Sequence, residues 1–359
     1  MEKIAVRFPD KNFWNNKRVL VTGHTGFKGA WLTQWLTQLG AKVCGVSLDP
    51  ITDPDLWTEM NMDMQGFDFR VDIRSDAWQR RVDTFKPEIA FHLAAQPLVV
   101  TGWKDPKLTF DTNLGGMVQF LSWINTSSSL SAGVLVTSDK VYRLDGKKTA
   151  RIESDPLGGA DPYSASKAAS ELIAQTWPMN PDKKVATARS GNVIGGGDWA
   201  EDRLIPDLIR AWRSPEKFTA RNPNSIRPWQ HVLEPLSGYI LMAEDLFQRK
   251  IKVDAINFGP IIKDQVSVSE VVKEVQNKLQ PPNSLRIDES PQELKYEESE
   301  FLLLDSTLAE SELGWRSVLN WKESIDMTLS WYSDFYNGIP ALKLVQRDIE
   351  LFGQISKSR

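Results

Sequence analysis

Three glycines at fixed spacing, Gly23, Gly26 and Gly29, stand between a β-branched run, Arg18-Val-Leu-Val-Thr22, and a helical pattern. In that pattern Trp31, Leu32, Trp35, Leu36 and Leu39 share a face, and Gly40 stops it. Few architectures accept such an order. Glycines between a strand and a helix let the backbone turn tightly and approach a pyrophosphate, which rests on amide donors at the positive end of the helix. A tight turn in an α/β protein without a nucleotide uses glycines in the same way. The strand-loop-helix placement near the start favours dinucleotide binding. On this reading Gly23, Thr25, Gly26, Phe27, Lys28 and Gly29 border a cofactor.

Further strands are expected at Lys42-Val-Cys-Gly-Val-Ser47, Phe67-Asp-Phe-Arg-Val71, Ile89-Ala-Phe-His-Leu93, Gly133-Val-Leu-Val-Thr137 and Val185-Ala-Thr-Ala-Arg189. Helical stretches such as Thr112 to Ile124 and Ser164 to Thr176 lie between them. Strands alternating with helices imply right-handed βαβ units and a parallel sheet covered on both faces, an α/β doubly wound Rossmann fold. The 359 residues, at about 150 per domain, suggest two domains. Beyond Gly191 the chain becomes rich in Gly, Pro and Trp, with a strand candidate at Ala255-Ile-Asn-Phe-Gly259. The expected division is a dinucleotide-binding domain over 1–190, joined again by segments around 232–262, and a smaller carboxy-terminal α/β substrate-binding cap over 191–359.

Composition removes several classes of function. Forty-three Lys and Arg against 47 Asp and Glu give a net charge of −4, so no global basic field exists to hold nucleic acid or an anionic membrane. One cysteine excludes an internal disulfide, and three scattered histidines do not make a metal centre. No run of 18 apolar residues spans a bilayer. The amino terminus is charged and broken by Pro9, unlike an export signal, so the expected compartment is cytoplasmic.

The adenosine ribose is normally met by an acidic residue at the end of the second strand. Here Ser47 fills that place, with Asp49 two residues on, while Lys28 brings a positive charge into the loop. Charge therefore leaves NAD and NADP undecided. Asp72 and Ile73, past the third strand candidate, are placed to frame an adenine, although such an Asp is often a turn residue.

Tyr163-Ser-Ala-Ser-Lys167 sets a phenol and an ammonium on one helical face. A free tyrosine titrates near ~10. A neighbouring cation favours phenolate, which makes Tyr163 a candidate general base with Lys167 beside it. YxxxK alone more often marks a surface helix. Its weight comes from Ser138, Asp139 and Lys140, which follow a strand at the sheet edge where ligands of open α/β sheets sit.

These segments resemble the extended short-chain dehydrogenases/reductases, and among them the nucleotide-sugar 4,6-dehydratases acting on CDP-glucose. The likeness runs through Val21 to Gly29, His92-Leu-Ala-Ala-Gln-Pro-Leu98, Thr137 to Lys140 and Gly158 to Ser164. It continues through Gly191-Asn-Val-Ile-Gly-Gly-Gly-Asp-Trp199 and Ile226-Arg-Pro-Trp-Gln-His-Val232 to Gly238, most of the chain in the expected order. The resemblance implies NAD as cofactor, with Ala94 and Ala95 beside it, and a hydro-lyase reaction. Tyr163 and Lys167 would take the proton of the sugar 4-hydroxyl, Ser138 would hold that hydroxyl, and Asp139 would protonate the departing 6-hydroxyl. Where related dehydratases carry Glu as the C5 base, this chain has Lys140. An ammonium must first lose its own proton to act as base; otherwise it aids an enolate-like intermediate. Arg227 would grip the diphosphate, since a guanidinium fork matches two phosphate oxygens. Gln96, Asn192 and Arg203 are further substrate contacts.

The chain departs from the family at Ser190, usually Ala, at Val141, often Cys, and in the charged loop running from Val141 to Arg151. Gly195 to Gly197 reads as a second phosphate loop or as a hinge, and His231 as a structural histidine. The resemblance also implies a homodimer and a place in deoxysugar synthesis for surface polysaccharide such as lipopolysaccharide. Rival readings are a dTDP-sugar dehydratase, a UDP-sugar 4-epimerase and a catalytically silent nucleotide sensor.

Overall fold

The computed structural model describes residues 6–146, 149–214, 217–220, 222–261, 266–279, 287–288 and 302–359. Lys147 and Lys148 of the charged loop, and Ile262 at the end of the returning segment, lie outside the described residues.

Seven strands build the main sheet among the described residues: β1 (Arg18–Thr22), β2 (Lys42–Ser47), β3 (Asp68–Arg70), β4 (Ile89–His92), β5 (Ala132–Val136), β6 (Lys184–Ser190) and β7 (Ala255–Phe258). Their order is β7-β6-β5-β4-β1-β2-β3, and every neighbouring pair is parallel. This is the doubly wound sheet expected from the sequence. The chain builds outward from β1 to β3 and then returns to β4 on the other side of β1. That reversal opens a crevice at the carboxyl ends of β1 and β4, where ligands of such sheets bind.

Alternation along the strands supplies both faces. Val19 and Val21 of β1 join one cluster with Trp31, Trp35, Phe91 and Val134, while Leu20 joins another with Cys44, Val46, Trp78 and Phe120. Burying a side chain such as Leu20 contributes about 1.5–3 kcal/mol. Cys44 is fully buried, and burial followed by the nearby Asp68 charge pushes its thiol up to about 12.

Helix α1 (Phe27–Gln38) starts directly after the second glycine of the loop. The stretch expected as one helix from Thr112 is instead a π-turn, Asp111–Gly115, leading into helix α2 (Gly116–Thr126). The extra residue in the turn carries Asn113 into a buried polar contact, where it donates to Ser166 Oγ at 2.8 Å and accepts from Gln96 N at 2.8 Å. Helix α3 (Pro162–Thr176) carries the YxxxK pair. Proline stands in its first turn, and the Asp161 side chain caps it by accepting from Ser164 N at 3.0 Å.

Past residue 190 come α4 (Leu204–Arg213), α5 (Leu233–Phe247), α6 (Trp321–Tyr336) and α7 (Ala341–Ser358). Helix α5 is buried almost throughout and lies against β5 and β6, and α7 packs on α1. Short strands Val193–Ile194 and Gln230–His231 pair beyond β6. The loop Gly195–Gly197 is packed solid. Trp31 Nε1 donates to Gly196 O at 3.0 Å, and a Cβ at Gly196 would lie 2.0 Å from the Trp331 ring. Close packing, rather than a phosphate or a hinge, accounts for glycine there.

Candidate active site

The glycine loop is shaped by contacts that side chains would block. Gly23 has φ +73°, and a Cβ on it would meet Ala94 N at 2.7 Å. A Cβ on Gly29 would lie 2.0 Å from Gly23 O, so only glycine lets α1 seat against the turn. No side chain caps α1, whose N-cap is Gly26, so its first amides are open to an anion. The cradle fits a dinucleotide pyrophosphate. Thr25 Oγ1 shares a hydrogen bond of 2.7 Å with Ser47 Oγ at the end of β2 and donates to Leu48 O at 2.9 Å. Phe27 sits half-buried against the core.

Beyond β3, Asp72 is held by Arg74, whose Nη2 donates at 2.6 Å. The Ile73 side chain is buried, so only its backbone can face a ligand. Ala94 N donates to Thr22 Oγ1 at 3.3 Å, and Ala95 follows it at the carboxyl end of β4.

Lys28 lies elsewhere than its charge suggested. Its Nζ donates to Ser190 Oγ at 2.8 Å, at the end of β6 and across the sheet from β2, so it does not bear on a ribose 2′-phosphate. Burial, then Arg203 and Lys167, pull its ammonium down to about 7, against the Asp139 charge. Tyr239 OH completes this cluster at 2.6 Å from Ser190 Oγ.

The sheet edge brings the proposed catalytic groups together. Ser138 Oγ donates to Asp139 Oδ1 at 2.9 Å and accepts from Lys140 N at 3.2 Å. The Tyr163 phenol lies beside the Ser138 hydroxyl, and Lys167 Nζ donates to Val136 O at 3.3 Å. Burial raises the Asp139 carboxyl, and the charges of Lys140, Arg227 and Lys28 oppose it. One carboxyl therefore sits within the field of three cations.

The electrostatics of Tyr163 differ from the sequence expectation. Burial pushes its phenol up to about 12, against the Ser138 hydrogen bond and the Arg203 charge, with the Asp139 charge adding to the rise. The Arg203 charge thus acts on Tyr163, and Lys167 Nζ meets a backbone carbonyl. Burial also pulls Lys167 down to about 8, against the Glu171 charge.

Arg203 pairs with Asp198 at 2.9 Å at the entrance to α4. Arg227 is buried, with Nη1 donating to Ile226 O at 3.1 Å. Asn192 lies just past β6, after Gly191, where a Cβ would stand 2.8 Å from Asp139 Oδ2. Gln96 is turned inward. Its Nε2 donates to Thr109 Oγ1 at 2.8 Å and to Leu98 O at 3.0 Å, and its Oε1 accepts from Leu98 N at 2.6 Å. Those bonds lock the loop after β4 and take the amide away from a substrate role. His231 is fully buried against Trp31, as a structural histidine should be.

Sequence reasoning missed Asn113, Glu171, Arg189 and Tyr239. Glu171 alone left a signal, a carboxylate four residues beyond Lys167 on the same helical face.

A family profile for GDP-mannose 4,6 dehydratase matches residues 20–328. A CDP-glucose 4,6-dehydratase from Salmonella typhimurium is 40% identical over 351 residues, covering 95% of this chain and 97% of its own. A probable dTDP-glucose 4,6-dehydratase from Sinorhizobium fredii is 27% identical over 88% of this chain and 92% of its own. Among solved structures, a dTDP-glucose 4,6-dehydratase from Streptomyces venezuelae, with NAD bound, superposes with a TM-score of 0.75 at 21% identity, over 90% of this chain and 99% of that one. One from Bacillus anthracis in complex with NAD has a TM-score of 0.72 at 20% identity, over 91% of this chain and 99% of that one. The two structures share the fold.

Proposed function

The chain belongs to the GDP-mannose 4,6 dehydratase family, and we propose that within it this protein converts CDP-glucose to CDP-4-keto-6-deoxy-glucose and water, with NAD as its cofactor. The observation that carries this reading is the meeting of Asp139 with Ser138 and Tyr163 at one sheet edge, where the Lys140 charge acts on the Asp139 carboxyl. A 4-epimerase needs only the tyrosine, the lysine and a hydroxyl, and has no use for the acid-amine pair. The 40% identity to a CDP-glucose 4,6-dehydratase supports the choice of nucleotide.

Gly23, Thr25, Gly26, Phe27 and Gly29, with Ser47, Asp72, Ile73, Ala94 and Ala95, form the cofactor side in this reading, while the Lys28 side chain turns to Ser190 beside Asp139. When bound there, NAD would supply the acceptor for the C4 hydride and the hydride donor at C6, with a proton returning to C5. Tyr163, in its phenolate form, takes the 4-hydroxyl proton, and Ser138 orients that hydroxyl. The ketone so formed acidifies the C5 hydrogen. Asp139, which burial keeps protonated to higher pH, gives its proton to the departing 6-hydroxyl. Lys140 acts at C5, as base or as a charge beside the enolate. Arg227 holds the diphosphate, with Arg203 and Asn192 nearby. Segments after residue 190 form the substrate cap.

We also assign the protein to the cytoplasm and to deoxysugar synthesis, with no nucleic-acid or membrane partner. Among the described residues no helix is long and apolar enough to cross a membrane. The exposure of Leu108, Val118 and Leu172 on neighbouring helices supports a homodimer in this reading.

Incubation with CDP-, dTDP-, UDP- and GDP-glucose, read by the alkali-induced absorbance of a 4-keto-6-deoxy sugar, tests the reading. Turnover is expected with CDP-glucose foremost. Unchanged sugar or a C4 epimer overturns it.

A further inference from the structure

Behind the catalytic edge lies a buried ion pair that the reaction itself does not use. Glu171 on α3 and Arg189 on β6 are both fully buried, with Arg189 Nη2 donating to Glu171 Oε2 at 2.7 Å. Each end makes further directional bonds. Glu171 accepts from Thr187 Oγ1 at 2.7 Å and, through its other oxygen, from Thr137 Oγ1. Arg189 Nη1 donates to Tyr142 OH at 2.9 Å and to Glu153 O at 3.0 Å. Tyr142 OH in turn donates to Asn257 Oδ1 of β7 at 2.7 Å.

The elements tied together are those that carry the site. Glu171 stands one turn beyond Lys167 and two beyond Tyr163, on the same face of α3. Thr137 lies between Val136, whose carbonyl accepts from Lys167, and Ser138, which donates to Asp139 and lies beside Tyr163. Arg189 is followed by Ser190, the acceptor of Lys28, and by Gly191, which abuts Asp139.

We propose that the Glu171–Arg189 pair is a positioning device, which fixes the register of α3 against the carboxyl ends of β5 and β6 and so holds Tyr163 and Lys167 against Ser138 and Asp139. A buried ion pair is a poor way to add stability, because desolvation offsets most of its attraction, and a well-packed apolar pair often serves as well. What an apolar pair lacks is direction. A displacement of about 1 Å at reacting groups costs on the order of 10²-fold in rate. The Glu171 charge also helps Lys167 keep its proton, against burial. Both residues act through others and touch neither substrate nor cofactor.

The inference rests on the dehydratase reading of the same site. The test compares wild type with the paired substitution Glu171→Met and Arg189→Met, and with Thr137→Val. Unfolding midpoint, NAD binding by tryptophan fluorescence, KM and kcat are measured for each. The paired variant is expected to fold and to bind NAD, with KM within about threefold and kcat lower by at least about tenfold. A folded paired variant with kcat within about twofold of wild type makes the pair a packing element and overturns the proposal. If the paired variant does not fold, Thr137→Val decides. It deletes one bond to the carboxylate at similar volume, and is expected to lower kcat about three- to tenfold at unchanged KM. An unchanged kcat there likewise overturns it. Should wild type act on another nucleotide sugar, the same comparison is made on that sugar, so a wrong substrate and a wrong role for the pair give different results.

Discussion

Lys28 Nζ stands 2.8 Å from Ser190 Oγ, so a residue of the glycine loop, which follows β1, reaches past β4 and β5 to the end of β6. Its ammonium, pulled down to about 7 by burial and then by Arg203, adds positive charge to the Asp139 surroundings only below that pH. As pH rises through 7 that charge is lost, and an anionic nucleotide should bind more weakly. CDP affinity is expected to fall about three- to tenfold from pH 6 to pH 8, and Lys28→Met to flatten the fall. Calorimetric titration across that range checks it; a slope equal in both proteins refutes the assignment to Lys28.

Tyr163→Phe removes the phenol hydroxyl beside Ser138 and keeps the ring. Turnover is expected to drop by about 10²–10⁴-fold while NAD binding stays within about twofold. Steady-state kinetics beside a fluorescence titration separate the two. Full activity would remove Tyr163 from the mechanism.

Burial lifts Glu234 from 4.5 to about 8, against hydrogen bonds from Leu319 N and Val318 N. The folded chain thus holds this proton more tightly than the unfolded chain does. Its contribution is fully present below pH 4.5 and is lost as pH rises towards 8. Glu234→Gln is expected to remove that fall from the pH dependence of unfolding free energy, as measured by urea titration between pH 5 and 9.

Gly196→Ala places a methyl 2.0 Å from the Trp331 ring. Overpacking there should cost about 1–3 kcal/mol, read as a lower urea midpoint at unchanged slope. A neutral result would mean that α6 yields easily.

The doubly wound sheet and the catalytic segments were legible because they depend on local pattern: β-branched runs, glycines at a strand-helix junction, and a four-residue spacing on one helix. What stayed hidden depends on contacts between distant segments. Lys28 read as a neighbour of Ser47 because both border the loop, yet helix geometry sends its side chain to Ser190. The resemblance implies Gln96 as a substrate contact, but Thr109 and Leu98 engage it. The π-turn at Asn113 has no signature in hydrophobic periodicity, since the extra residue is held by bonds to Gln96 and Ser166. Likewise, nothing in the spacing links Arg189 to a carboxylate 18 positions earlier.

Because the lone thiol of this chain, Cys44, is sealed in the sheet and reluctant to ionise, alkylating reagents will pass over the native fold. A cysteine introduced at an exposed position such as Leu144 would then take a dye with no background. Sugar binding near the catalytic edge thereby becomes accessible to fluorescence, without first stripping the protein of its own sulfhydryl.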